Sequence, residues 1–187
     1  MTTERSSVST WSRLEVLASP RTRRVIGVVS FAVLTALGAK LNLPIAGTTI
    51  PFTFQPLAVL LAGALLGARL GAASQITYLA AGLVGLPVFT SGFLLGPTGG
   101  YLMAYPLAAF TVGAIAGEGK LRNLLALLAG LGVIYLGGAA WLATFTGWPA
   151  AIAAGVVPFI VADLVKVGMA LVIMLRIRRK SLSLFAA

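Results

Sequence analysis

The 187-residue sequence contains no cysteine and no histidine, and it carries only four acidic side chains. Without cysteine there is no disulfide scaffold and no thiol nucleophile. Without histidine, His-based metal sites and Ser-His hydrolytic chemistry are excluded as well. No G-K-[ST] sequence occurs either, so a phosphate-cradling P-loop is not supported and any ATP hydrolysis must come from another protein. No metal and no cofactor are expected.

What fills the chain instead is apolar. Hydrophobic residues make up 59% of it, glycines number 22, and the mean hydropathy is +1.01. These values lie outside the range of soluble domains and within that of multi-pass membrane proteins. A helix crossing the hydrocarbon needs about 20 apolar residues, so the length beyond a polar N-terminal segment accommodates about six crossings. The net charge of +10 raises nucleic acid as a partner. Its placement argues against that, because the basic residues flank apolar segments and do not form a basic face.

Residues 1–24 are polar, and Trp11, Leu14 and Leu17 within them have helical spacing, which suggests an interfacial helix. Six apolar stretches follow, at roughly 25–43, 52–68, 71–88, 99–117, 122–146 and 150–175, and residues 176–187 form a basic tail. With the N-terminus inside, one face collects Arg5, Arg13, Arg21, Arg23, Arg24, Arg69, Lys120, Arg122, Arg176, Arg178, Arg179 and Lys180, whereas the other has only Lys40. By the positive-inside rule both termini are cytoplasmic. The expectation is an all-α membrane protein with six transmembrane helices over residues 25–175. The end of the first stretch, "ALGAK", resembles a signal-peptide cleavage site, but cleavage would invert this charge asymmetry, so a retained helix is expected.

Polar groups inside the apolar stretches then stand out. The stretch "GVVPFIVADLVKVGMALVIML" holds the chain's single aspartate, Asp163, and Lys166. Each charge near mid-helix costs about 2.5–3.5 kcal/mol on insertion scales, and an i,i+3 ion pair returns only about 0.2–0.5 kcal/mol in water. The spacing puts both on one helix face, where an acceptor and a three-fold donor suit a small polar ligand with N–H and carbonyl or carboxylate groups. A self-neutralised structural pair is the alternative. In "LNLPIAGTTIPFTFQP", Asn42, Thr48, Thr49, Thr53 and Gln55 offer neutral donors and acceptors beside Phe52 and Phe54, as a ligand cleft or as a connecting loop. In "SGFLLGPTGGYLMAY", glycines permit tight turns after Thr98, and Tyr101 supplies a ring and a hydroxyl. Small residues spaced by four, Ala32 and Ala36, Gly63, Gly67 and Gly71, and Gly113 and Gly117, allow close helix approach, within the chain or against a partner, a second copy included.

Three stretches, "PFTFQPLAVLLAGALLGARLG", "LGPTGGYLMAYPLA" and "VVPFIVADLVKVGMAL", resemble the motifs of the BioY family, the biotin-binding S components of energy-coupling factor (ECF) transporters. The resemblance spans nearly all of residues 25–175. It implies an S-component-like bundle of six helices in the bacterial cytoplasmic membrane, binding biotin at its extracytoplasmic side. It implies ligand contacts from Asp163 and Lys166, with Gln55, Thr98, Tyr101 and Phe52 in matching motifs. It also implies that Ala32 and Ala36 pack on a transmembrane coupling protein, which works with ABC-type ATPases.

Other classes are weaker. An intramembrane enzyme needs a nucleophile with a base or two acids, and only Asp163 lies within an apolar stretch, so a two-aspartate protease is excluded by count. A proton-coupled carrier using Asp163 and a structural membrane subunit remain open as alternatives.

Overall fold

The computed structural model describes residues 19–185 apart from 46, 49 and 91–93. The expected interfacial helix around Trp11 lies outside the described residues, as does Thr49. Helix α1 (Pro20–Lys40) starts where Ser19 caps it, the Ser19 hydroxyl accepting from the Thr22 N–H at 3.2 Å, with Pro20 in the first turn where its missing N–H costs nothing. A two-residue hairpin follows, β1 (Asn42–Leu43) against β2 (Phe52–Thr53), antiparallel with Asn42 opposite Thr53. Then come α2 (Gln55–Leu66), α3 (Ala68–Leu83), α4 (Gly99–Ile115), α5 (Lys120–Thr146) and α6 (Trp148–Gly155). A 3-10 turn (Val157–Phe159) and α7 (Ile160–Phe185) complete the chain.

Gly67, at φ +81°, makes the one-residue corner between α2 and α3, a conformation that a side chain disfavours. The stretch read from sequence as one span at 150–175 is divided. Pro158 has no N–H to continue the α6 ladder and its ring crowds the preceding turn, so the chain passes through the 3-10 turn before α7 begins. At the other boundaries, α1 already begins at Pro20 and α7 continues through the basic residues to Phe185.

Three helical stretches among the described residues, Pro20–Lys40, Lys120–Thr146 and Trp148–Phe185, are long and apolar enough to cross a membrane, and α2 and α4 are shorter apolar helices. Large apolar side chains face outward all along α1 and α7, including Val25, Val29 and Val33 and then Val161, Val165 and Val172. Such a surface suits lipid and not water. The interior holds two clusters. One gathers Tyr78, Phe89, Tyr101, Tyr105, Leu142 and Phe159 near the hairpin, and the other gathers Leu60, Leu65, Val112, Leu127, Leu131 and Met174 toward the opposite end. Tyr135 packs against both.

Candidate binding site

A cavity of about 560 Å³ of empty space, its open mouth included, lies at the hairpin end. Its walls come from the segment leading into α2 (Ile50, Thr53, Gln55), from α4 (Tyr101, Leu102, Tyr105), from α5 (Ile134, Tyr135) and from α7 (Asp163, Lys166). Gly155 and Phe159, on either side of the break in the last span, complete that wall.

The charged pair is buried, Asp163 at 4% and Lys166 at 3% exposure. Lys166 Nζ donates to Asp163 Oδ1 at 2.5 Å and to the Thr53 carbonyl at 2.6 Å, and it stands 3.8 Å from the centroid of the Phe52 ring. The lysine therefore fastens the hairpin to α7 while neutralising the aspartate, and the ring face adds a cation–π contact. The other carboxylate oxygen, Oδ2, accepts from the Tyr135 hydroxyl at 2.7 Å. Both oxygens of Asp163 are thus engaged, with lone pairs left over for a ligand.

Gln55 also lines the cavity, 2% exposed, its Nε2 donating to the Tyr78 hydroxyl at 2.7 Å. Tyr78 in turn donates to the Val88 carbonyl at 3.2 Å, so its oxygen can only accept from Gln55, which fixes which way the amide points. Gln55 Oε1 then faces the Thr90 hydroxyl at 3.4 Å, and Thr90 also donates to the Ala39 carbonyl at 3.2 Å. These bonds tie the 84–98 connection to α1 and α2 and leave Gln55 a second N–H.

Tyr101 donates its hydroxyl to the Gly155 carbonyl at 2.7 Å. A side chain at Gly155 would meet that hydroxyl at 2.3 Å, and one at Gly138 would meet the ring at 2.1 Å, so two glycines make the slot that holds the tyrosine. With its hydrogen committed, Tyr101 presents to the cavity a ring and an acceptor.

Of the residues singled out from sequence, Asp163, Lys166, Gln55, Thr98 and Tyr101 all line this one cavity. Phe52 is not in its wall and sits beneath the Lys166 ammonium. Ala32 belongs to the buried core at 8% exposure and Ala36 packs against that core, while Val29 and Val33 on the same helix face outward. Gly63 and Gly71 bring α2 and α3 together, a methyl built on Gly71 falling 2.8 Å from the Gly63 Cα.

The BioY family model matches residues 5–182. The chain belongs to the BioY family. Among curated proteins it is 43% identical over 164 residues to the "Probable biotin transporter BioY" of Pyrococcus horikoshii, covering 84% of this chain and 98% of that one. It is 36% identical over 165 residues to the "Biotin transporter BioY" of Thermotoga maritima, covering 84% and 96%. Among solved structures, the crystal structure of the S-component for biotin from an ECF-type ABC transporter superposes with a TM-score of 0.74 at 25% identity, over 92% of this chain and 95% of that one.

Within this BioY protein, sequence reasoning missed Tyr135, Tyr105, Thr90, Ile134 and Phe159, all on or beside the cavity wall. Tyr135 carried one usable signal, a hydroxyl in the middle of the apolar stretch 122–146, where polar groups want partners. The Thr53 carbonyl carried none, since every residue has one.

Proposed function

We propose that this chain binds biotin within the membrane and is the substrate-binding subunit of an ECF-type importer. The observation that carries the reading is the buried Asp163–Lys166 pair in the wall of a cavity otherwise made of aromatic, aliphatic and neutral polar groups, in a chain of the BioY family. Biotin has a ureido ring with two N–H groups and a carbonyl, an apolar thioether ring, and a tail ending in a carboxylate. Asp163 accepts from a ureido N–H through a lone pair not used by Lys166 or Tyr135. Lys166 supplies its third N–H to the ureido oxygen or the tail carboxylate. Tyr101, Tyr105 and Phe159 cover the apolar body, and Gln55 and Thr98 supply further polar contacts, as such pockets use a few placed polar groups among apolar ones.

The chain crosses the cytoplasmic membrane six times with both termini inside, the last crossing made of α6, the 3-10 turn and α7 together. A coupling transmembrane protein and ABC-type ATPases complete the importer. The α1 segment around Ala32 and Ala36 is where the coupling protein docks, with Val29 and Val33 giving that segment its outward face.

The test is equilibrium binding of labelled biotin to the purified, detergent-solubilised chain, beside Asp163→Asn and Lys166→Met variants that remain folded. Saturable binding competed by unlabelled biotin and weakened in both variants is expected. No binding to the wild type overturns the reading and leaves the pair as a proton or protein-contact site.

A further inference from the structure

The Asp163–Lys166 pair poses a problem for any ligand that must use it. In a site shielded from water the attraction between the two charges is strong, and the ion pair by itself leaves the carboxylate free to turn about the ammonium, which acts as a point charge. That arrangement would leave the orientation of the carboxylate to the ammonium alone. The structure shows a different one: Lys166 holds Oδ1 alone, at 2.5 Å, while Oδ2 is held from the side by the Tyr135 hydroxyl at 2.7 Å. The two donors come from different helices, Lys166 from α7 itself and Tyr135 from α5, so the carboxylate is held from two sides. Lys166 is restrained in the same sense, because the Thr53 carbonyl draws its ammonium toward the hairpin at 2.6 Å and Phe52 covers it.

We infer that Tyr135 is a positioning residue for ligand binding, whose hydroxyl fixes the orientation of the Asp163 carboxylate beside Lys166 and so holds it ready to accept from a ligand N–H. This rests on the biotin reading of the cavity. It assigns to α5 a part in recognition that no motif of the sequence announces, and it makes Tyr135 act through Asp163 and not by its own contact with the ligand.

The sequence offers a direct probe, because Asp163 is the chain's single aspartate. Incorporating aspartate labelled with carbon-13 at the side-chain carboxyl therefore reports on this one group. The infrared carboxylate bands of the full-length, detergent-solubilised protein are compared between wild type and Tyr135→Phe, and biotin affinity is measured in both. Tyr135→Phe keeps the ring and its packing while removing the one donor. The expected result is a shift of the labelled carboxylate band in the ligand-free protein and a loss of biotin affinity of roughly tenfold, the scale of one removed hydrogen bond to a charged group. The same substitution made in an Asp163→Asn background is expected to cost about threefold or less, because the group through which Tyr135 acts has gone.

An unshifted band overturns the inference, as does undiminished affinity in Tyr135→Phe. An equal loss in both backgrounds overturns it too, because Tyr135 would then matter only to the shape of the cavity. If the wild type binds no biotin, the biotin reading fails, whereas the band shift still decides whether Tyr135 holds the carboxylate.

Discussion

Helix α7 is fastened at both ends by a cation that donates to backbone carbonyls of other elements, and the two ends are built on opposite plans. At the basic end, Arg178 donates to the carbonyls of Ala64 at 3.1 Å, Ala116 at 3.1 Å and Gly117 at 3.4 Å, where α2 and α4 run out of partners of their own. Ser181 adds a bond to the Leu65 carbonyl at 2.9 Å, Arg122 closes on Ile115 at 2.7 Å, and Arg24 reaches Phe185 at 3.2 Å. At the cavity end, one lysine does the corresponding task, bonding Thr53 just ahead of α2. α2 is thus gripped by α7 at both of its ends. The basic end has several redundant bonds and the cavity end has almost none. Redundancy suits a junction that only has to hold, and its lack suits a site where a ligand must find donors and acceptors still free.

The largest effect is expected where redundancy is least. Lys166→Met leaves a buried carboxylate without its counter-charge and frees the hairpin, a change of the kind that costs about 3–5 kcal/mol. Thermal unfolding is expected to fall accordingly and biotin binding to be lost. Adding Asp163→Asn to that variant removes the stranded charge, so much of the stability returns while binding does not. A double variant no more stable than Lys166→Met would place the cost in the hairpin tether and not in the charge.

Arg178→Ala comes next. Its three carbonyl acceptors lose a charged donor, but Ser181 still holds its own bond to α2, so a loss of about 1.5–3 kcal/mol of stability is expected. Biotin affinity is expected to stay within about threefold, since only stability depends on this end. An affinity loss larger than the stability loss would show that the two ends are coupled through α7, and the contrast drawn between them would fail. The smallest effect belongs to Glu118→Gln. Its ion pair with Arg179 at 3.1 Å has both side chains nearly fully exposed, and exposed pairs of this kind are screened by salt. No measurable change in unfolding temperature or binding is expected.

How far the sequence could be read differs between these regions for a physical reason. Asp163 and Lys166 were legible because a charge in an apolar run has a cost that packing alone does not offset, and their i,i+3 spacing already placed them on one face. Gln55, Thr98 and Tyr101 were legible through the motifs around them, and the cavity gathers all five. The role of Phe52 was read as cover for a ligand, yet a ring beside a buried ammonium is held by that cation first. The stretch around Pro158 was read as one continuous span because its hydropathy is unbroken, although a proline inside a helix removes a hydrogen bond whatever the hydropathy around it. The partner of Tyr135 could not be read at all, since it lies 28 residues away on a different helix. The same is true of the carbonyls that receive Lys166 and Arg178, which have no residue identity to recognise.

The interruption at Gly155–Phe159 bears on how an aspartate is tolerated at this depth. Because α7 begins only at Ile160, Asp163 lies in its first turn and not in the middle of a continuous helix. Aligned peptide dipoles leave roughly half a positive charge at a helix N-terminus, and a carboxylate there gains about 0.3–1 kcal/mol, up to about 2 kcal/mol when partly buried. The proline that spoils the span as a simple crossing therefore turns the positive pole of a helix toward the carboxylate. Asp163 thus has a second electropositive neighbour, made of backbone alone, which does not compete for a ligand as another basic side chain would.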